Sequence, residues 1–199
     1  MIRLFSLMFF IFYVNPLNAT KLLILGDSLS AGYQMPIDKA WPTLLQNVMS
    51  QKDKDLAIVN ASISGDTTGN GLARLPELLK KHNPDIVLIE LGANDGLRGF
   101  APKLIQNNLR QIIQLVQSTN AQALLMQIYI LPNYGKRYTQ AFADLYPATA
   151  LQFNTPLIPF FLQAVITRPE WMMADGIHPN ENAQPWIAEF VAKELLNYL

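Results

Sequence analysis

The sequence predicts an α/β fold, a three-layer α/β/α sandwich with a mostly parallel sheet of about five strands. The first observation is an alternation along the chain. Short apolar runs of strand length are followed by segments whose apolar residues recur every three or four positions, as on one face of a helix. Because right-handed crossovers place helices on both faces of a sheet, this alternation favours parallel strands. The second observation is size: 199 residues, 50% of them hydrophobic, suffice for one domain with a full core.

Five stretches have the composition of strands, and they are residues 21–25, 57–61, 86–91, 123–130 and 156–161. The last stretch contains Pro156 and Pro159. A proline cannot donate a hydrogen bond to a neighbouring strand, so this stretch is expected at an edge of the sheet.

Helical patterns fill the gaps between these strands. Three apolar stripes have helical spacing: Trp41, Leu44, Leu45, Val48 and Met49; then Ile105, Leu109, Ile112, Ile113 and Val116; and finally Ile187, Phe190, Val191 and Leu195. Pro42 lies in the first turn of the first helix, and Asn182 and Pro185 open the last one. We interpret the stripes as faces that pack on the core. His82 falls at a polar helix end before a proline, where a basic side chain is ordinary, so it is not a candidate for catalysis.

The first 19 residues have the pattern of a secretory signal peptide. Arg3 supplies a positive charge, residues 4–14 form an apolar run, and Ala19 is a small residue at the expected cleavage site. The run is shorter than the ~20 residues that span a bilayer, so no stable membrane anchor is expected. The sequence therefore predicts removal of residues 1–19 and a single periplasmic or secreted domain over residues 20–199.

The residue counts exclude several classes of protein. Lys and Arg together number 15, as do Asp and Glu, so no basic surface for nucleic acid is expected. The chain contains no Cys, which excludes disulfides and thiol catalysis, and only two His, which are too few for the usual metallophosphoesterase. We expect a monomer that needs no metal and no cofactor and acts on a small molecule.

Ser28 is the candidate nucleophile. It lies in the segment GDSLS at 26–30, directly after the apolar run 22–25, so its hydroxyl is placed at the carboxyl end of a buried strand. Sites in open α/β sheets form at that edge. A serine after a strand is also a common turn or helix-capping residue, so Ser28 alone does not define a site.

Asp175 and His178 lie three residues apart in the segment DGIHP at 175–179. If this stretch forms one tight turn, the Asp175 carboxylate accepts a hydrogen bond from Nδ1–H of His178 and leaves Nε2 free to act as a base. His178 alone could simply end a loop before the last helix. Together with Ser28, the pair predicts a serine hydrolase in which these three residues are catalytic.

Gly65 and Asn94 follow the second and third predicted strands, and so they reach the same edge of the sheet as Ser28. Acyl transfer needs hydrogen-bond donors directed at the oxyanion that develops on the carbonyl oxygen. The candidate donors are the backbone N–H groups of Ser28 and Gly65 and the side-chain amide of Asn94. Each residue alone is more often a turn residue, but their convergence favours an oxyanion hole.

These motif blocks resemble the SGNH, or GDSL-type, hydrolases, a family named after its Ser, Gly, Asn and His. The matching segments are GDSLS at 26–30, NASISGDT at 60–67, GAND at 92–95 and DGIHP at 175–179, and the likeness covers nearly the whole chain after residue 19. The resemblance implies a flavodoxin-like α/β/α fold, the triad Ser28, Asp175 and His178, and an oxyanion hole formed by Ser28, Gly65 and Asn94. It also implies hydrolysis of acyl thioesters such as acyl-CoA, of lysophospholipids and of small aryl esters.

Six residues in nearby loops are candidates for an acyl-binding groove: Leu97, Phe100, Leu131, Pro132, Tyr134 and Ile177. Ordinary loop packing explains them equally well. Two other functions remain open. A carbohydrate O-acetylesterase would use the same chemistry, and the basic Lys136 and Arg137 do not exclude it. A non-catalytic flavodoxin-like module would hold phosphate in the loop 26–32, although the carboxylate of Asp27 would repel that ligand.

Overall fold

A five-stranded, all-parallel sheet forms the centre of the protein in a computed structural model that describes residues 19–199. The strands are β1 (Thr20–Gly26), β2 (Leu56–Asn60), β3 (Ile86–Glu90), β4 (Gln122–Met126) and β5 (Leu157–Ile158), in the spatial order β2-β1-β3-β4-β5. The inner strand β3 is buried along its whole length. The predicted α/β fold class is confirmed.

Helices cover both faces of this sheet. In residues 19–199 they are α1 (Ser28–Ala31), α2 (Trp41–Ser50), α3 (Thr68–His82), α4 (Ala93–Leu97), α5 (Pro102–Gln117), α6 (Lys136–Gln152), α7 (Leu162–Val165) and α8 (Gln184–Leu195). The chain moves in one direction along the sheet from β1 to β2, and in the opposite direction from β2 to β3, β4 and β5. Right-handed crossovers therefore place α2 on one face of the sheet and α3, α5 and α6 on the other face. The packing agrees, since α2 contacts α8, whereas α5 contacts both α3 and α6.

The predicted helical stripes face the core. All five residues of the α5 stripe are fully buried, and Pro102 occupies its first turn. In α2 and α8 the stripes are buried except for Leu44, Val48 and Phe190, which are partly buried against the same core. His82 is the last residue of α3, where the prediction placed a helix end.

Strand ends differ from the sequence predictions for identifiable reasons. The fourth strand ends at Met126 and does not continue to residue 130. Tyr129 and Ile130 instead leave the sheet and line a cavity at its carboxyl edge, so their apolar character serves that cavity. The second and third strands each end one residue early, at Asn60 and Glu90. The fifth strand lies at the sheet edge, as predicted, but it keeps only two residues because a proline stands on either side.

The order of the strands creates a crevice at the carboxyl ends of β1 and β3. The chain leaves β1 toward β2 and later returns to β3 on the other side of β1. Successive connections therefore run over opposite faces of the sheet, which is the arrangement that opens a binding crevice in α/β folds. The loops after β1, β2 and β3 carry Ser28, Gly65 and Asn94, and all three residues line one cavity there.

The described part of the chain contains no helix long and apolar enough to span a membrane. The predicted signal peptide covers residues 1–19, and residues 1–18 lie outside the described range. The boundary at Ala19 stays a prediction.

Candidate active site

Ser28, His178 and Asp175 form a continuous hydrogen-bonded chain at the carboxyl end of β1. Nε2 of His178 lies 2.8 Å from Oγ of Ser28, and Nδ1 of His178 lies 2.7 Å from Oδ2 of Asp175. With a proton on Nδ1, the imidazole donates to the carboxylate and accepts from the serine hydroxyl. The three side chains are thus arranged in the order that a general-base relay requires.

Two neighbours fix the backbone at Ser28, the first residue of α1. The carboxylate of Asp27 accepts a hydrogen bond from the N–H of Leu29 at 3.0 Å and caps this short helix. Gly32 ends the helix with φ 75°, a left-handed conformation that favours glycine. Ser28 is therefore held at the turn between β1 and α1, where it lines the cavity.

The turn from Asp175 to His178 holds the two side chains together. Oδ1 of Asp175 accepts hydrogen bonds from the N–H groups of Ile177 and His178, each at 3.0 Å, and this leaves Oδ2 for the imidazole. Burial pushes the pKa of Asp175 upward, but the hydrogen bonds from the His178 ring and from these two N–H groups outweigh burial and hold the pKa below its ordinary value. Asp175 is consequently ionised at neutral pH.

The backbone N–H groups of Ser28 and Gly65 are unengaged at the cavity. Within residues 19–199, neither group donates a hydrogen bond to another part of the protein. Gly65 has φ 84°, and no atom lies within 4 Å of the position that a Cβ would take. A guanidinium nitrogen of Arg98 donates to the Gly65 carbonyl at 3.0 Å and holds the peptide unit that follows Gly65. Both N–H groups are available to an oxygen bound next to Ser28.

Asn94 lines the same cavity, but its amide is engaged within the protein. Nδ2 donates to Oδ2 of Asp27 and to the carbonyl oxygen of Asp66, both at 3.0 Å. An amide nitrogen carries two hydrogens, so donation to a further acceptor requires one of these bonds to be shared or released. The structure thus brings Asn94 beside Ser28 and Gly65, in a network that the sequence did not predict.

Buried carboxyl groups connect the loops of the site. Glu90 is fully buried at the end of β3, and its Oε2 accepts a hydrogen bond from the Ser30 hydroxyl at 2.7 Å. Asp95 accepts hydrogen bonds from the hydroxyl and the N–H of Thr68, at 2.6 and 2.8 Å, which ties α4 to the start of α3. Sequence reasoning missed Glu90, although a lone glutamate inside an apolar strand was a usable signal.

Burial also changes the proton affinity of these groups. It raises the pKa of Asp27 to about 7, and burial together with the charge of Asp27 raises the pKa of Glu90 well above its ordinary value. Among the residues that the structure describes, no group of three or more His, Asp or Glu is arranged to hold a metal ion. In the structure, Asp27 and Glu90 accept hydrogen bonds from the loops of the site, and their raised pKa values mean that each binds a proton more readily than an exposed carboxyl does.

An apolar cavity of about 380 Å³ opens beside Ser28 and His178. Four of the six predicted groove residues line it, and they are Leu97, Leu131, Pro132 and Ile177. The other two do not. Phe100 packs against the core, and its carbonyl accepts a hydrogen bond from Tyr138. The hydroxyl of Tyr134 bonds to the carbonyl of Leu97, and its ring faces a different surface depression.

Other parts of the cavity wall come from residues that the sequence analysis did not assign to the groove. Six of them are Tyr129 and Ile130, after β4, and Phe160, Leu162, Gln163 and Ile166, in or next to α7. The sequence analysis assigned Tyr129, Ile130 and Phe160 to strands. The local sequence does not distinguish an apolar side chain in a cavity wall from one in the core. In the structure, Tyr129 and Ile166 are 41% and 38% exposed, which separates them from core residues.

An enzyme that transfers acyl groups needs a nucleophile with a base beside it and N–H donors for the carbonyl oxygen, and the hydrogen-bonded Ser28 and His178 and the N–H groups of Ser28 and Gly65 have a geometry compatible with these parts. The chain is accordingly a serine hydrolase. It belongs to the GDSL-like lipase/acylhydrolase family, whose sequence profile matches residues 24–184. The family resemblance inferred from the motif blocks is therefore confirmed.

Similar proteins carry esterase and thioesterase names. The chain is 59% identical to an arylesterase of Vibrio mimicus over 200 residues, which covers 100% of both chains. It is 56% identical to the thioesterase 1/protease 1/lysophospholipase L1 of Escherichia coli strain K12, over 89% of this chain and 84% of that protein. The crystal structure of the psychrotrophic esterase EstA from Pseudoalteromonas sp., inhibited by monoethylphosphonate, superposes with a TM-score of 0.87 at 42% identity and covers 89% of this chain and 99% of EstA.

Proposed function

We propose that the protein hydrolyses acyl thioesters such as acyl-CoA, lysophospholipids and small aryl esters through an acyl-enzyme formed on Ser28. The observation that carries the proposal is the hydrogen-bonded chain from Ser28 through His178 to Asp175, which opens on an apolar cavity. The names of the relatives, an arylesterase and a thioesterase and lysophospholipase, support these substrate classes.

The reaction proceeds in two half-reactions. Nε2 of His178 accepts the proton of the Ser28 hydroxyl while Oγ attacks the acyl carbonyl carbon, and the tetrahedral intermediate carries a negative oxygen. The intermediate collapses when the imidazolium returns the proton to the leaving thiolate or alkoxide. A water molecule then attacks the acyl-enzyme with the same base, and release of the free acid restores Ser28. Asp175 stabilises the imidazolium in both half-reactions and stays ionised throughout.

Three donors stabilise the oxyanion in this proposal. Within residues 19–199 the N–H groups of Ser28 and Gly65 donate to no other group, whereas Asn94 must redirect one hydrogen from Asp27 or from the Asp66 carbonyl. The carbonyl oxygen carries a full negative charge only in the tetrahedral intermediate, so it accepts the hydrogen bond from Asn94 most strongly at that stage of the reaction. The carboxylate of Asp27 keeps the amide at the site between turnovers.

The cavity is proposed to hold the acyl chain of the substrate. Its volume falls within the range of small-molecule sites, and the predicted residues Leu97, Leu131, Pro132 and Ile177 belong to its apolar wall. Burial of each methylene group is worth roughly 0.8 kcal/mol, so kcat/KM is expected to rise about threefold to fourfold per methylene until the cavity is full. An O-acetylesterase would show the opposite preference, with the acetyl ester best.

The test is a series of p-nitrophenyl esters of increasing acyl length, followed by acyl-CoA and lysophospholipid. Ser28→Ala serves as the matched control, and it is expected to keep the fold while it loses on the order of 10⁶ in kcat, as nucleophile removal does in serine hydrolases. Near-native activity of Ser28→Ala would refute the nucleophile. A steady fall of kcat/KM beyond the acetyl ester would refute the acyl cavity.

Export is part of the proposal. The pattern of residues 1–19 indicates cleavage after Ala19, so the active protein would begin at Thr20, the first residue of β1. Because β1 starts at the proposed cleavage site, removal of the leader leaves every strand of the sheet intact. We propose that the enzyme acts in the periplasm or outside the cell, as a monomer.

A further inference from the structure

The aromatic ring of Tyr33 stacks on the imidazole of His178. The two ring centroids lie 4.3 Å apart, and the ring planes are inclined by 29°. Ser28 and Asp175 bond to the edges of the imidazole, so Tyr33 is the residue that covers a face of it. The mechanism described above assigns no role to this contact.

The backbone around Tyr33 is shaped to make this contact. Gly32 has φ 75° and Gln34 has φ 53°, so left-handed residues stand on both sides of Tyr33. Gln34 is not a glycine, and a non-glycine residue keeps a left-handed conformation only where surrounding contacts require it. A Cβ on Gly32 would lie 2.9 Å from the Cβ of Ala40. The turn therefore directs Tyr33 to one place, over His178.

We propose that Tyr33 is a positioning residue for ester hydrolysis that acts through His178. Its ring keeps the imidazole plane aligned between Ser28 and Asp175, and its π face stabilises the imidazolium that forms when Ser28 attacks. This inference rests on the proposed function, because it presupposes that His178 is the base.

The physical reason is the charge that His178 acquires during the reaction. The face of an aromatic ring is negative and attracts a cation within about 6 Å. Neutral imidazole gains little from this attraction, whereas imidazolium gains much more, so the contact favours the transition state over the ground state. Asp175 is the charged group that bonds to the His178 ring. A small cavity beside Tyr33 and His178 is also lined by the uncharged Met35, Pro179 and Gln184.

Tyr33 also lines the substrate cavity, so it could affect catalysis simply by contacting the substrate. Steady-state kinetics with an aryl ester distinguish that contact from an effect on His178. Tyr33→Leu is expected to lower kcat roughly 5- to 30-fold with little change in KM, and to move the acidic limb of the kcat/KM profile to lower pH by roughly half a unit to one unit. Tyr33→Phe keeps the ring and should restore the kcat and the pH profile that Tyr33→Leu loses, because within residues 19–199 the Tyr33 hydroxyl bonds only to the exposed side chain of Gln34.

A second measurement does not depend on turnover. The chain has two histidines, and both can be titrated by NMR in the inactive Ser28→Ala protein, with His82 at the end of α3 as the internal control. Tyr33→Leu should lower the titration midpoint of His178 and leave that of His82 unchanged. Melting temperatures of all variants identify any loss of fold, and if Tyr33→Leu does not fold, Tyr33→Met, which also lacks the ring, replaces it in both measurements.

Several results would overturn the inference. Tyr33→Leu with a raised KM, an unchanged kcat and an unmoved pH profile would make Tyr33 a cavity wall only. Tyr33→Phe as slow as Tyr33→Leu would assign the effect to the hydroxyl. An unmoved His178 titration would remove the electrostatic argument. Failure of the proposed function is distinguishable, because it would show as activity retained in Ser28→Ala.

Discussion

Replacement of Gly92 by alanine tests how closely the turn before Asn94 packs against the buried side chain of Tyr146. Gly92 stands at the turn between β3 and α4 with φ 121° and ψ −14°, a conformation that L side chains rarely adopt. A Cβ on this residue would lie 2.0 Å from the hydroxyl oxygen of Tyr146 and 3.3 Å from its Cζ atom. Tyr146 is fully buried, and its hydroxyl donates a hydrogen bond to the Leu91 carbonyl at 3.0 Å.

The expected cost of Gly92→Ala has two parts. The backbone strain of a non-glycine residue in this region is about 1–3 kcal/mol. Overpacking against a buried ring adds about 1–3 kcal/mol. The free energy of unfolding should therefore fall by roughly 2–6 kcal/mol, a large share of the 5–15 kcal/mol typical of a domain.

Tyr146→Phe is the partner substitution that isolates the steric part. Alone, it should cost about 1–3 kcal/mol, because the buried Leu91 carbonyl loses a donor. In the double variant the nearest ring atom to the new Cβ is the carbon at 3.3 Å, a contact that small shifts can absorb. The double variant should therefore be less destabilised than the sum of the single variants by about 1–3 kcal/mol.

Urea unfolding at constant m-value measures all three variants in one cycle. Additive effects within about 0.5 kcal/mol would refute the reasoning, because they would mean that the alanine Cβ does not meet the Tyr146 hydroxyl. A stable Gly92→Ala protein would contradict the strain at this turn.

Three further predictions concern the site, the buried carboxyls and export. Asn94→Ala should lower kcat about 10²- to 10³-fold with little change in KM, because the proposed oxyanion hole loses one of its three donors. Asn94→Asp should be at least as harmful, because it places a carboxylate beside the oxyanion. Steady-state kinetics measure both effects, and a raised KM at constant kcat would contradict the proposed role. Burial raises the pKa of Glu90, so the folded protein binds the proton of this carboxyl more tightly than the unfolded chain does. The proton's contribution to the free energy of unfolding is complete at low pH. It is lost as pH rises from the ordinary glutamate range toward the raised pKa. Wild type should therefore lose stability relative to Glu90→Gln as pH rises above the ordinary glutamate pKa of about 4.3, by up to about 1.4 kcal/mol per pH unit in urea unfolding, and a difference independent of pH would refute this. Amino-terminal sequencing of the exported protein should find Thr20 first, and an intact Met1 on a membrane-bound species would contradict cleavage after Ala19.

The sequence predicted the parts of this protein that depend on local pattern. The α5 stripe has helical spacing and is buried as expected, and the apolar runs that precede Ser28 and Asn94 form β1 and β3. Parallel strands end at the same edge of a sheet, so residues distant in the chain were expected to meet there. The short spacing of Asp175 and His178 was likewise a local signal.

Only the tertiary structure decided which apolar and polar groups meet across the chain. Ile130 looked like a strand residue and Ile166 was not singled out, yet both line the cavity. The amide of Asn94 is held by Asp27, and the ring of Tyr33 covers His178, although these partners are far apart in sequence. Periodicity reports which face of an element is buried, whereas the partner on that face depends on sheet order, crossover direction and the φ angles of a few turn residues.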